Sequence, residues 1–186
     1  MMPRRFVLGL DADDADIPGV FGVPHARIPG SWRILCSYAD GKRHKARIFR
    51  NLEEAGQVEA RGSWEWHHVV EAQHYADIDV LGRLERMYEE VLPCVLLHRD
   101  EHIAYNQLLH TRATDELHRV GGLPRAMKER AAKTATEARD PTHHAALRAR
   151  MDGLQRLYDR AYQGDPVLQT VARRVLDEAR EALRGR

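Results

Sequence analysis

Cysteine is nearly missing from this 186-residue chain, with Cys36 and Cys94 the only two. That count excludes a disulfide-built scaffold and a cysteine-rich zinc site. Both cysteines fall in apolar runs and are expected to be buried thiols. Long hydrophobic runs are missing too, which excludes a membrane-spanning helix. The opening "MMPRRFVLGLDADDAD" turns acidic after a few apolar residues, so it is not expected to be a secretory signal. The expected location is the cytoplasm, or outside the cell by a signal-independent route if the chain is a toxin. Net charge is also low, at +1. It is unevenly spread, being −3 over residues 1–95 and +4 over 96–186. A mildly basic second half permits nucleic-acid contact without demanding it.

Histidine, in contrast, is abundant. Seven of the 11 lie between residues 67 and 118: His67, His68, His74, His98, His102, His110 and His118. Imidazole is the commonest metal ligand and a frequent general base.

The length suits one domain, or one domain with a small appendage. Residues 1–30 hold four Pro and four Gly and read as irregular, with a short strand possible at "RFVLGL". Asp40-Gly41 is a hairpin-turn dipeptide, so a β-hairpin is expected over 32–38 and 43–49. "WEWHHVV" is a third strand. Val80, Leu81, Leu84, Met87, Tyr88 and Leu92 recur at helical spacing, which predicts a helix ended by Pro93. "CVLL" reads as a short buried strand. From Arg99 onward the pattern is helical, broken at Gly121-Gly122. Pro124, Pro141 and Pro166 suit first-turn positions, and Asp140 and Asp165 suit N-caps. The expected fold class is α+β. It divides into an N-terminal segment with a β-hairpin (1–60), a small core (61–120) and a helical C-terminal region (121–186).

Side chains alternate along a strand, so His67 and His68 point to opposite faces. On the following helix His98, His102, Asn106 and His110 are spaced by four and form one polar ridge. A His/Asn pair one turn apart offers a nitrogen and an oxygen to one divalent cation.

The doublet in "WHHVVE", the apolar strand "CVLL" and the helix opening "HRDEHIAYN" together resemble the HNH, or ββα-metal (endonuclease VII-like), endonuclease superfamily. The match is to toxin-type branches with a Trp-His-His signature, here Trp66-His67-His68. It covers roughly residues 62–112. The resemblance implies a ββα-metal core, and one divalent ion (Mg, Mn, Ni or Zn) held by His67, His102 and Asn106. His98 is the alternative ligand if the register shifts by a turn. It implies His68 as the general base that draws a proton from water attacking a phosphodiester. It further implies a nucleic acid as substrate, DNA before RNA, and a bacterial toxin or a defence or mobile-element nuclease. A cognate immunity protein would be a partner of a toxin. The chain departs from the family in one place: no Asn lies between His68 and His102, where the family commonly has one to steady the base. A backbone carbonyl or Glu90 is the expected substitute. Glu71 is a candidate for holding an imidazole.

Arg99, Arg112, Arg119 and Lys128, with Arg125, Arg130 and Lys133, follow the motif and are candidate phosphate contacts. Two other readings stay open. A non-enzymatic helical adaptor predicts that the histidines do not converge. A His-rich metal-binding module predicts a closed, fully protein-ligated site.

Overall fold

The computed structural model describes residues 17, 19–29, 32–54, 56, 63–86, 92–109 and 123–186. The chain is α+β, as expected. Strands β1 (Val20–Pro24), β2 (Trp32–Ser37), β3 (Trp64–His68) and β4 (Pro93–His98) form one antiparallel sheet in the order β1-β2-β4-β3. Among the described residues β3 is therefore an edge strand.

The expected hairpin of 32–38 with 43–49 does not form. β2 pairs instead with β1, and residues 38–54 are a helix, α1 (Tyr38–Glu54). The reason is local. Ser37 caps the helix, accepting at Oγ from the Asp40 N–H (3.1 Å) while its hydroxyl donates to the Asp40 carboxylate (2.8 Å). This is a serine N-cap, and it outweighs the turn preference of Asp40-Gly41. Gly41 has a different task. A Cβ there would lie 2.9 Å from Trp66 Cζ2 and 3.1 Å from Cys36 Sγ, so its bare backbone lets α1 settle on the sheet.

The expected helix over 80–92 is also shorter where it is described. Val80 and Leu81 lie in a turn, Gly82 takes φ +64°, and the helix, α3, is Arg83–Arg86. The Asp79 carboxylate starts it, accepting from the N–H groups of Arg83 and Leu84 at 2.8 Å each. Met87 and Tyr88 lie outside the described residues, as does "RFVLGL".

The other helices are α2 (Ala72–Ala76), α4 (Arg99–Leu109), α5 (Leu123–Glu137), α6 (His144–Ala161) and α7 (Pro166–Arg184). As expected, Asp140 caps the short 3-10 turn Pro141–His143, accepting from the Thr142 N–H, and Asp165 caps α7, accepting from the Leu168 N–H.

The sheet separates two layers. On one face Val20, Cys36 and Leu96 pack with Ile48, Phe49 and Leu52 of α1, beside Trp64 and Trp66. On the other, Leu35, Val95 and Leu97 join a larger core that includes Tyr105 of α4, Tyr158 of α6 and Tyr162 at the C-terminal end of α6. Arg33 of β2 is buried on this second face with Glu101 of α4 and Asp165, which ties both helices to the sheet. No helix among the described residues is long and apolar enough to cross a membrane.

Candidate functional site

β3, β4 and α4 form a strand–strand–helix unit. β3 pairs with β4 in a register that sets His67 opposite Val95 and His68 opposite Cys94. The alternation of the strand sends the two histidines to different layers, as the sequence implied. His68 points to the α1 layer, where its ring lies 5.0 Å from that of Tyr38. His67 points to the larger core and is fully buried.

His67 and His102 meet there. Their ring centroids are 5.2 Å apart, with the ring planes at 66°. His102 has a glutamate at hydrogen-bond distance, Nδ1 to Glu65 Oε2 at 2.6 Å, whereas His67 Nδ1 only approaches Glu71 Oε1, at 3.5 Å. A carboxylate on Nδ1 fixes the orientation of the His102 imidazole, the arrangement found behind metal-bound histidines.

At Nε2, His67 meets the Tyr162 hydroxyl at 2.9 Å. That hydroxyl donates its one hydrogen to the Val69 carbonyl at 2.7 Å, so it accepts from His67 Nε2–H. One turn earlier on the same helix, the Tyr158 hydroxyl accepts from the Glu71 N–H and meets His74 Nδ1, both at 2.8 Å. Tyr105 stacks on His67 with centroids 5.6 Å apart. Burial pushes the Tyr158 and Tyr162 hydroxyls well above the usual phenol range, so both are neutral.

Asn106 lies one turn beyond His102 on α4. Its Oδ1 is buried with no hydrogen-bond partner among the described residues. His98, the alternative ligand, is not brought to this cluster. It ends β4 on the α1 side, edge-on to Trp64 at 5.8 Å, and pairs with Asp100. His143 and His144 serve the turn before α6, near Asp140 and the Ala138 carbonyl. His110, His118, Arg112, Arg119 and Glu90 lie outside the described residues.

The donors suit a divalent cation in kind: two imidazoles, that of His102 backed by Glu65, and an unsatisfied amide oxygen. Among the described residues no three His, Cys, Asp or Glu side chains are grouped to hold a metal ion. A cation here would therefore draw on Asn106, and His67 Nε2 would have to exchange Tyr162 for it.

Of the expected phosphate contacts, Arg99 approaches Glu65 (4.0 Å), Arg125 pairs with Glu129 (2.8 Å), Arg130 with Asp77 (3.4 Å) and Lys133 with Glu137 (3.8 Å). This set is largely neutralised within the protein.

Glu65, Tyr105 and Tyr162 were not singled out from the sequence. Glu65 shares a strand face with His67, two residues away, and that spacing was a usable signal. The tyrosines carried a weaker one, since Tyr158 and Tyr162 sit one helical turn apart among aliphatic residues.

No protein-family model, curated protein or solved structure matches the chain.

Proposed function

We propose that the chain is a metal-dependent endonuclease that hydrolyses phosphodiester bonds at the outer edge of β3. The observation that supports it most is the meeting of His67 and His102 across β3, β4 and α4, with the His102 imidazole held by Glu65. His67, His102 and Asn106 are the candidate ligands for the cation. Bound there, it would supply Lewis-acid stabilisation of the charge on the phosphoryl and leaving oxygens. Glu65 orients the His102 imidazole. His68, on the other side of an edge strand, takes the proton from the attacking water. With no Asn in the connector, the ring of Tyr38 is what lies against His68. A toxin of this kind would act in the cytoplasm of a recipient cell, and its producer would need an immunity protein.

The test is plasmid and RNA degradation by the purified chain with Mg²⁺, Mn²⁺, Ni²⁺ or Zn²⁺, with EDTA and His68→Ala as controls. The reading expects cleavage that EDTA and His68→Ala abolish. No cleavage with any metal, or equal cleavage by His68→Ala, overturns it.

A second reading is favoured by the full burial of His67 and its bond to Tyr162. Here the motif is a tie that fastens α6 to the sheet of a non-enzymatic adaptor. Calorimetric titration of Tyr162→Phe with Ni²⁺ separates the two. Removing the competitor for His67 Nε2 strengthens binding in the nuclease and leaves an adaptor unable to bind metal.

A further inference from the structure

Five Lys or Arg residues and His44 fall between positions 42 and 50 of α1, and no Asp or Glu interrupts them. The whole chain is only +1, so this helix concentrates positive charge that the rest of the protein offsets. Lys42, Arg43, Arg47 and Arg50 are exposed and share the outward side of the helix, with the small Ala46 among them. Gly41, Ile48, Phe49 and Leu52 occupy the inward side. Arg43 has Asp40 at 3.6 Å. Lys42, Arg47 and Arg50 have no carboxylate partner among the described residues. Like charges three and four residues apart destabilise a helix, so the face gains from an external polyanion.

The face is also placed usefully. Lys42 Nζ sits 4.8 Å above the ring of Tyr38, and Tyr38 lies against His68. The cationic row thus starts beside the candidate base and runs about 12 Å along the helix.

We propose that the outward face of α1 is the nucleic-acid-binding surface of the protein, engaging the phosphodiester backbone through Arg43, Arg47, Arg50 and Lys42. The delivery of that backbone to His68 rests on the nuclease reading; the binding itself does not. Three of the four groups are arginines, whose planar fork matches phosphate oxygens. An anionic membrane is the poorer match, because a helix that lies in a membrane inserts its apolar face, and here that face is packed on the sheet.

The test is fluorescence anisotropy of the full chain with labelled duplex DNA, single-stranded DNA and RNA. It is run in EDTA so that no cleavage intervenes, between about 50 and 200 mM salt. Anionic phospholipid vesicles form a parallel arm. Arg43→Gln/Arg47→Gln/Arg50→Gln keeps helix propensity, and circular dichroism checks that it folds. It should bind at least about tenfold more weakly, with the slope of log K against log salt reduced by about 2–3 on duplex DNA. Arg173→Gln/Arg184→Gln, which removes two exposed cations of α7, should stay within about twofold of wild type, because neither belongs to the α1 face. Triple-variant binding equal to wild type overturns the proposal. So does the absence of nucleic-acid binding at low salt, or vesicle binding as strong as that of nucleic acid. Binding that depends on α1 without cleavage under any metal removes the nuclease reading and leaves the surface. Cleavage with an unchanged KM in the triple variant does the reverse.

Discussion

Tyr162 and His67 are joined across 95 residues of sequence by a 2.9 Å hydrogen bond, with their rings edge-on at 86°. The same hydroxyl donates to the Val69 carbonyl, so one oxygen clamps both the strand and the bend that follows it. Tyr158 repeats the device one turn away, on Glu71 and His74. The histidine motif and the C-terminal helices are thus one structural unit.

Tyr162→Phe should therefore destabilise the fold. It leaves a buried carbonyl and a buried ring N–H without their partner, at about 1–3 kcal/mol for each unsatisfied group. The expected loss is about 2 kcal/mol or more, read as a lower urea midpoint at unchanged slope. An unchanged midpoint would contradict the clamp.

Gly41→Ala sets two effects against each other. Alanine gains about 1 kcal/mol in helix propensity. Its Cβ would meet Trp66 at 2.9 Å and Cys36 at 3.1 Å, and overpacking of this kind costs about 1–3 kcal/mol. The contact should win, with a net loss of stability and a shift in tryptophan emission. Gly153, inside α6, has nothing within 4 Å of an added Cβ. Gly153→Ala should instead gain about 0.5–1 kcal/mol. Thermal denaturation of the two variants should give opposite signs.

The pattern of strand and helix was readable wherever one periodicity dominated. "WEWHHVV" and "CVLL" became β3 and β4, and the caps at Asp140 and Asp165 formed where their prolines pointed. Residues 38–54 were misread because Asp40-Gly41 carries a turn signal by itself. The competing signal is Ser37, three residues before Asp40. That error also concealed the cationic face of α1, because a hairpin would have split its residues between two sides of a strand. Averaging charge over half the chain concealed it further. The approach of His67 to His102 and the opposite direction of His68 were legible from strand alternation and helix spacing. Their neighbours Tyr105, Tyr158 and Tyr162 were not, because contacts between residues so far apart in sequence depend on how α6 docks.

Asp79 gives a pH dependence with a definite sign. Burial raises its pKa, although the N–H groups of Arg83 and Leu84 and the charge of Arg83 pull the other way. The folded state therefore holds the proton more tightly than the unfolded chain does. Its contribution to stability is greatest below the ordinary aspartate pKa and falls as pH rises through the raised folded value. Urea unfolding of wild type and Asp79→Asn across the acidic range should show wild type gaining on the variant as pH drops. A difference independent of pH would rule this out.

The two thiols test the packing of α1. Cys36 and Cys94 are both buried and lie opposite each other on β2 and β4. The Cys36 thiol is pushed up to about 12, mainly by burial and then by the Asp40 carboxylate, against a hydrogen bond from the Gly41 N–H. Only a thiolate attacks a disulfide reagent, so Cys36 should be inert toward one in the native protein at mildly alkaline pH. Both thiols should react in urea. In Gly41→Ala, where α1 is pushed off the sheet at Cys36, native-state labelling should accelerate. Rapid labelling of Cys36 in the wild-type protein would mean that α1 does not cover it.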